Sequence, residues 1–285
     1  MSDGQRRYLH TDGNLKVSAS SIETFKQCPR KWKYIYVEDA RSVSTFATIL
    51  GTFAHSVLEE FYQWDPEERT VELAKEIARY EWDKMTKLSR AFKSLKLSEE
   101  EQKRMRVQAW KSVRGAWELE IPSEVSVLEV EKEFMMQHEG AWVRGFIDRV
   151  ERDGDGIRIT DYKTGNAPKE AYKRDKLVQV ELYALAAQEL YEEPIVSAAL
   201  MYLGKEIVQT EINEVVLRRT RKRLSKAIEA MTTSLSTGVY EPKVGPLCAW
   251  CDFLIDCPEG QEEVFRLNRY GRVRQDSPGA QLLGL

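Results

Sequence analysis

Cysteine is scarce in this sequence: four residues in 285, Cys28, Cys248, Cys251 and Cys257. So few exclude a scaffold built on disulfides in place of a core. Long hydrophobic runs are absent as well, and no stretch approaches the roughly 20 apolar residues of a membrane span. The opening residues, MSDGQRRYLHTDGN, lack the apolar core of a secretory signal. Excess charge of one sign is missing: 43 Lys and Arg stand against 46 Asp and Glu, a formal net charge of −3. No global basic field therefore announces a polyanion. No G-x-x-x-x-G-K-[ST] loop occurs, so any nucleotide-driven motor must come from a partner. What is present, 42% hydrophobic and 31% charged residues, suits a soluble globular protein of one large domain or one core with additions. The expected setting is intracellular and cytoplasmic, away from membranes.

The scarce cysteines are not scattered. Three lie in CAWCDFLIDC, a C-x2-C-x5-C cluster, with the fourth, Cys28, some 220 positions earlier. An intracellular setting argues against disulfides, and the spacing is that of metal ligands. Basic residues gather locally in RKWK (Arg30 to Lys33), in LRRTRKR (Leu217 to Arg223) and across Arg90 to Arg114. Taken singly, each reads as a solvated face; together they suit a polyanion partner.

Periodicity divides the chain. SASSIETFKQCPRKWKYIY reads as a helix, with Ser20 and Glu23 at capping-box spacing and Cys28 near its end. FATILGTFAHSVLEEFYQW reads as a second, with an apolar stripe through Ile49, Phe53, Val57 and Phe61, and with His55 in its middle. Together they form an N-terminal helical segment over 15–64. Residues 65–122 read as a charged helical insertion containing one amphipathic basic helix. Residues 123–240 carry three strands, a helix, an apolar strand, a candidate further strand at KEIVQTEIN and a last helix. The order β-β-β-α-β predicts an α/β fold: a mixed central sheet flanked by helices. The cysteine cluster occupies 241–262, and 263–285 reads as a loose polar tail.

The stretch VRGFIDRVERDGDGIRITDYKTG raises a chemical question. In a strand every second side chain shares a face, so Ile157, Ile159, Asp161 and Lys163 point one way, and Phe146, Asp148 and Val150 do so on the strand before. If the hairpin closes at Asp153 to Gly156, Arg152 faces Ile157 and Asp148 faces Asp161. Like charges opposed across a ladder are destabilising, and burial makes this worse. A hard divalent cation between the carboxylates, Mg²⁺ or Mn²⁺, removes the objection. It would polarise a phosphoryl oxygen and lower the pKa of a bound water. Lys163 is suited to position that water or to stabilise charge developing at phosphorus. The alternative is a surface hairpin with solvated carboxylates.

GFID, DYKTG and the spacing D-x12-D-x-K resemble the PD-(D/E)xK nuclease superfamily. GTFAH is similar to the G-x-x-x-H motif of its RecB-like branch and QVELY to the Q-x-x-x-Y motif. Cys28 with CAWCDFLIDC resembles the iron–sulfur members of that branch, as in the AddB nuclease domain and the CRISPR-associated RecB-like exonucleases. The resemblance implies a restriction-endonuclease-like mixed sheet with a C-terminal iron–sulfur segment. It implies a Mg²⁺- or Mn²⁺-dependent DNA exonuclease, with Asp148, Asp161, Lys163, Gln179 and Tyr183 in the catalytic set. His55, Asp148, Asp161 and the carbonyl of Tyr162 are its expected metal ligands. It further implies a [4Fe–4S] cluster on Cys28, Cys248, Cys251 and Cys257. A Cys₄ zinc site is the alternative, although zinc ribbons usually pair two close knuckles and this chain has one. Glu131 is either an acidic aid to the site or a solvated strand residue. Arg30, Lys31, Lys33, Arg218, Arg219 and Arg221 are candidate DNA contacts. DNA that is single-stranded or has free ends is the expected substrate. A helicase, recombinase or CRISPR integrase is the expected kind of partner, in recombination, repair or CRISPR adaptation. The competing readings are a cluster-stapled DNA-binding accessory protein without catalysis and a zinc-stapled nuclease acting on RNA.

Overall fold

The computed structural model describes residues 7–285; the first part of the N-terminal stretch, Met1–Arg6, lies outside them. The chain divides into two compact units. The larger holds residues 44–136 and 144–223, and the smaller holds the N-terminal segment up to 43, residues 137–143 and 224–285.

The sheet is built from β2 (Val127–His138), β3 (Ala141–Asp153), β4 (Gly156–Lys163), β5 (Ile195–Tyr202) and β6 (Glu206–Glu211), all in the larger unit but for residues 137–138 of β2 and 141–143 of β3. β3 and β4 are antiparallel with Arg152 opposite Ile157, the expected register, and the ladder runs to Arg149 opposite Thr160. β4 and β5 are parallel, and β5 and β6 antiparallel. The candidate strand at KEIVQTEIN is therefore real. Between β4 and β5 the chain crosses over through α7 (Glu170–Lys176) and α8 (Val178–Ala187), as a parallel pair requires. Ile157, Ile159 and Asp161 are buried, but so are Thr160 and Tyr162. The strand is thus covered on both faces, not on one. The reason is its central place between β3 and β5, with helices on either side.

One face meets α3 (Phe46–Phe61), α4 (Val71–Leu88) and α6 (Glu99–Arg114), with the short α5 (Arg90–Ser94) between the last two. The stripe Ile49, Phe53, Val57 and Phe61 packs with Ile77 and Trp82 of α4, Met105 and Val113 of α6, and Tyr162 and Met201 of the sheet. The helical insertion is therefore part of this core. After α6, Gly115 lies against the β5–β6 turn. A Cβ there would meet Gly204 N at 2.3 Å, so only glycine permits this approach.

Behind β3 lies a buried polar cage that the sequence did not announce. Arg149 is fully buried; it bonds Glu120 at 2.7 and 2.8 Å and Glu151 at 2.7 Å. Its guanidinium lies 4.5 Å from the ring of Tyr62 and 5.6 Å from that of Tyr162, and Tyr62 donates to Glu120.

The smaller unit holds β1 (Lys16–Val17), α1 (Ala19–Gln27), α2 (Pro29–Trp32), α10 (Pro258–Arg269) and α11 (Pro278–Leu282). β1 runs parallel to the start of β3, with Lys16 opposite Trp142. The helix α9 (Glu214–Thr237) passes from the larger unit into this one. The capping box of α1 is Ser18 with Ser21, not Ser20 with Glu23. The helix starts two residues earlier than the pattern suggested because Ser18 is extended and its side chain accepts from Ser21 N–H. The expected loose tail is folded. Val264, Leu267, Val273 and Ala280 bury against Ala249 and Leu254, apolar contacts too sparse in sequence to show a period.

Replacing Glu120 by Ala strands the Arg149 charge inside the larger unit. A loss of about 3 kcal/mol in a urea melt is expected, where an exposed ion pair would lose less than about 1 kcal/mol.

Candidate active site

The site begins where the β3–β4 ladder ends. Beyond Thr160 the Tyr162 amide donates not to a strand carbonyl but to Asp148 Oδ2, at 2.7 Å. Asp148 and Asp161 are both buried. The middle of α3 carries His55 to the same place. Its Nε2 lies 2.9 Å from the Tyr162 carbonyl and its Nδ1 3.2 Å from Asp148 Oδ2. Both partners are acceptors, which favours the doubly protonated ring while no cation is bound. Burial alone would lower its pKa, but Asp148 and then Asp161 raise it to about 9.

Lys163, two residues beyond Asp161 on the strand, closes the other side. Its Nζ lies 2.6 Å from Asp161 Oδ2 and 3.0 Å from Gln179 Oε1. Gln179 in turn donates to Asp161 Oδ1 at 2.8 Å and to Tyr183 Oη at 3.0 Å. Gln179 and Tyr183 stand one turn apart on α8 and so present one face. The motif glycine Gly145 makes room for them. A Cβ there would press into Phe134 at 2.6 Å and sit 3.3 Å from the Tyr183 ring. Burial, followed by the charge of Asp148, pushes the Asp161 carboxyl upward, against the pull of Lys163 and His55.

Glu131, open between two readings in the sequence, belongs to this group. One ligand atom each from His55, Glu131 and Asp148 lie within 4.8 Å of one another. Glu131 adopts φ +45° in the middle of β2, a left-handed backbone that costs a non-glycine residue about 1–3 kcal/mol and tends to occur at functional sites. No periodic pattern encodes such a turn of the chain. Burial and then the charge of Asp148 lift its carboxyl to about 7. His55, Glu131 and Asp148 thus form a candidate donor set for a divalent cation, while the Asp161 carboxylate is held by Lys163 and Gln179 and is not among the three.

In the smaller unit the four cysteines border one cavity of about 280 Å³ with Lys31, Tyr34 and Lys243. Cys28 joins α1 to α2, Cys248 and Cys251 flank one short turn, and Cys257 precedes α10. Lys243 N–H donates to Cys28 Sγ and Gly245 N–H to Cys248 Sγ, each at 3.4 Å. Burial raises the thiols of Cys248, Cys251 and Cys257 above their ordinary value.

The candidate DNA contacts are dispersed. Arg30 donates to the Tyr240 carbonyl and lies 3.6 Å from Glu259. Lys31 reaches Gln27 at 3.5 Å, and Lys33 pairs with Glu38 at 2.8 Å. Trp32 is buried among Phe25, Tyr36 and Tyr240. On α9, Arg219 and Arg223 hold the buried Glu181 of α8, while Arg218 and Arg221 are exposed.

The protons at the site compete with any cation. Folding raises His55 above its ordinary 6.5, so its contribution to stability is full below that value and fades as pH rises through about 9. Glu131, lifted to about 7, opposes folding once ionised. Without a cation the site therefore weakens the fold between pH 6 and 9, and a cation that replaces these protons gains with pH. The rise in melting temperature given by saturating Mg²⁺ is expected to be larger at pH 8.5 than at pH 6; a shift that is flat or falls with pH contradicts this site.

A sequence profile of the PD-(D/E)XK nuclease superfamily matches residues 16–258, which take in this site and all four cysteines. Two phage proteins are similar in sequence. The Gene 69 protein of Mycobacterium phage L5 is 29% identical over 133 residues, 45% of this chain and 44% of that protein. The Gene 69 protein of Mycobacterium phage D29 is 27% identical over 155 residues, 53% and 54% of the two chains. The similarity thus spans about half the length of each relative. Among solved structures, one from Eubacterium rectale described as a candidate exonuclease is alike in fold, with a TM-score of 0.50 over 85% of both chains at 12% identity. No helix among the described residues is long and apolar enough to cross a membrane. With its mixed sheet, its paired aspartates and a profile match over most of its length, the chain belongs to the PD-(D/E)XK nuclease superfamily.

Proposed function

We propose that this protein is a Mg²⁺- or Mn²⁺-dependent DNA exonuclease of the RecB-like branch, acting on single-stranded DNA or DNA ends and carrying a [4Fe–4S] cluster. The observation that carries the nuclease chemistry is the grouping of His55, Glu131 and Asp148 where the β3–β4 ladder ends, beside the Asp161–Lys163 pair.

His55, Asp148, Asp161 and Glu131 would hold the cation, with the Tyr162 carbonyl beside them. When bound, it supplies Lewis-acid polarisation of a phosphoryl oxygen and acidifies a water. The remaining work falls to the chain. Tyr162 N–H orients Asp148. Lys163 brings a fixed positive charge to where negative charge grows at phosphorus as the water oxygen attacks and the P–O bond to the leaving sugar oxygen breaks. Gln179 fixes both Lys163 and Asp161, and Tyr183 fixes Gln179. Replacing Asp161 or Lys163 by Ala is expected to reduce cleavage of end-labelled single-stranded DNA by at least about 100-fold, with the fold and DNA binding retained. Loss of the label at equal rates in wild type and Asp161→Ala would remove the proposal.

The four cysteines fit a four-thiolate metal group, since they border one cavity and two of their sulfurs accept backbone N–H bonds. The single C-x2-C knuckle, and the resemblance of CAWCDFLIDC with Cys28 to the iron–sulfur members of the RecB-like branch, favour the iron–sulfur group over zinc. Such a group ties α1 and α2 to the turn before α10, and in the chain-entropy model closure of so long a loop is worth about 5 kcal/mol. Its role is structural. Anaerobically purified Cys248→Ser is expected to lose iron, visible absorption and much of its thermal stability; full retention of absorption and melting temperature would contradict the staple.

A further inference from the structure

The basic residues of the helical insertion are not absorbed by this site. Beyond its first turn, α6 carries Lys103, Arg104, Arg106, Lys111 and Arg114 over Gln102 to Arg114, with no acid among them. All five are exposed. Elsewhere helical cations meet acids: Lys75 with Glu72, Lys84 with Glu81 and Lys87 with Asp83 on α4, and Lys173 with Glu170 on α7. Among the described residues none of the five on α6 lies within ion-pair distance of an acid; Arg114 stacks on Trp117 at 5.5 Å. The helix dipole accounts for Lys111 and Arg114 in the last turn. Lys103 and Arg104 stand one turn from Glu99, Glu100 and Glu101 without reaching ion-pair distance of them, and Arg106 has no acid one turn away.

The opposite face of α6 is fixed, with Met105, Ala109 and Val113 buried in the core beside α3. The exposed face is shallowly concave, a groove of about 380 Å³ bordered by Lys103, Arg104, Val107, Gln108 and Lys111, with Glu100 at its N-terminal end. Past the groove, the helix ends at Gly115, one β5–β6 turn away from the backbone of Lys163. Gly204 N–H donates to Gly115 O at 3.1 Å, and the adjacent Leu203 N–H donates to Lys163 O at 2.9 Å.

Resting on the nuclease reading above, we propose that the exposed face of α6 is a track for the phosphate backbone of the strand being cut. From Lys103 to Arg114 the helix rises about 16 Å, the length of about five phosphates at duplex spacing. Cations without ion-pair partners along one groove match a line of anions, and the contact leaves the bases unread.

The test measures binding of a fluorescein-labelled single-stranded oligonucleotide by anisotropy across a salt series, in the Asp161→Ala background. Lys103→Gln, Arg104→Gln and Lys111→Gln together are expected to weaken binding at least about tenfold at low salt and to reduce the slope of log K against log salt by about 2. The melting temperature is expected to stay unchanged. A control triple on α4, Lys75→Gln, Arg79→Gln and Lys87→Gln, removes the same charge and is expected to leave affinity and slope alone. Wild-type affinity and slope in the α6 triple, or equal losses in both triples, overturn the track. The readout does not depend on hydrolysis. A protein that binds through α6 but cuts no DNA supports the track and removes the nuclease reading instead.

Discussion

Two buried carboxylates held at the open end of one hairpin are the constraint on which this structure turns. Asp148 and Asp161 repel each other, and burial denies them water. The surroundings answer with cationic groups: the His55 imidazolium on one side and the Lys163 ammonium on the other. The peptide of Tyr162 lies between, its N–H bonded to Asp148 and its carbonyl to His55. The negative charge gathered there raises the pKa values of His55 and Glu131, and His55, Glu131 and Asp148 form a candidate site for a divalent cation.

Holding a peptide in that position requires support from behind. The ring of Tyr162 lies on the far side of the strand, within reach of the Arg149 guanidinium and stacked near Tyr62. Arg149 is itself fixed by Glu120 and Glu151. Thus neighbouring residues on β3 serve opposite faces: Asp148 the chemistry, Arg149 its foundation. The close approach of Gly115 to Gly204 fastens the helical insertion to the same end of the sheet. The insertion is in this way part of the catalytic unit's core, although its sequence carries no catalytic signature.

Much of this was legible in the sequence. Strand alternation and the turn at Gly154 gave the hairpin register as far as Arg149 opposite Thr160, the ladder ending just before Asp148 and Asp161. The apolar stripe of α3 gave the helix that delivers His55. Gln179 and Tyr183 came from the resemblance of QVELY to the Q-x-x-x-Y motif, and their one-turn spacing put them on one face, where they are hydrogen-bonded. The rest was hidden for physical reasons. Glu131 reaches the site through a left-handed backbone that no period encodes. Arg149, Glu120 and Tyr62 are far apart in sequence, and an arginine in a strand reads as surface until its partners are known. Arg219 reads as a free cation in a basic run, but its partner, Glu181, is buried on another helix. The C-terminal residues read as polar because the few that bury, such as Val273 and Ala280, do not repeat at a helical interval.

The central claim is that a divalent cation sits between Asp148 and Asp161. The most direct measurement is a crystal of the protein grown with Mn²⁺, with anomalous difference density collected at the manganese edge. The account expects a peak at about 2.1 Å from oxygens of both aspartates, with His55 Nδ1 or Nε2 turned toward it, and no such peak in Asp161→Ala. A protein that cuts DNA while its manganese lies elsewhere, or binds none, would contradict the account.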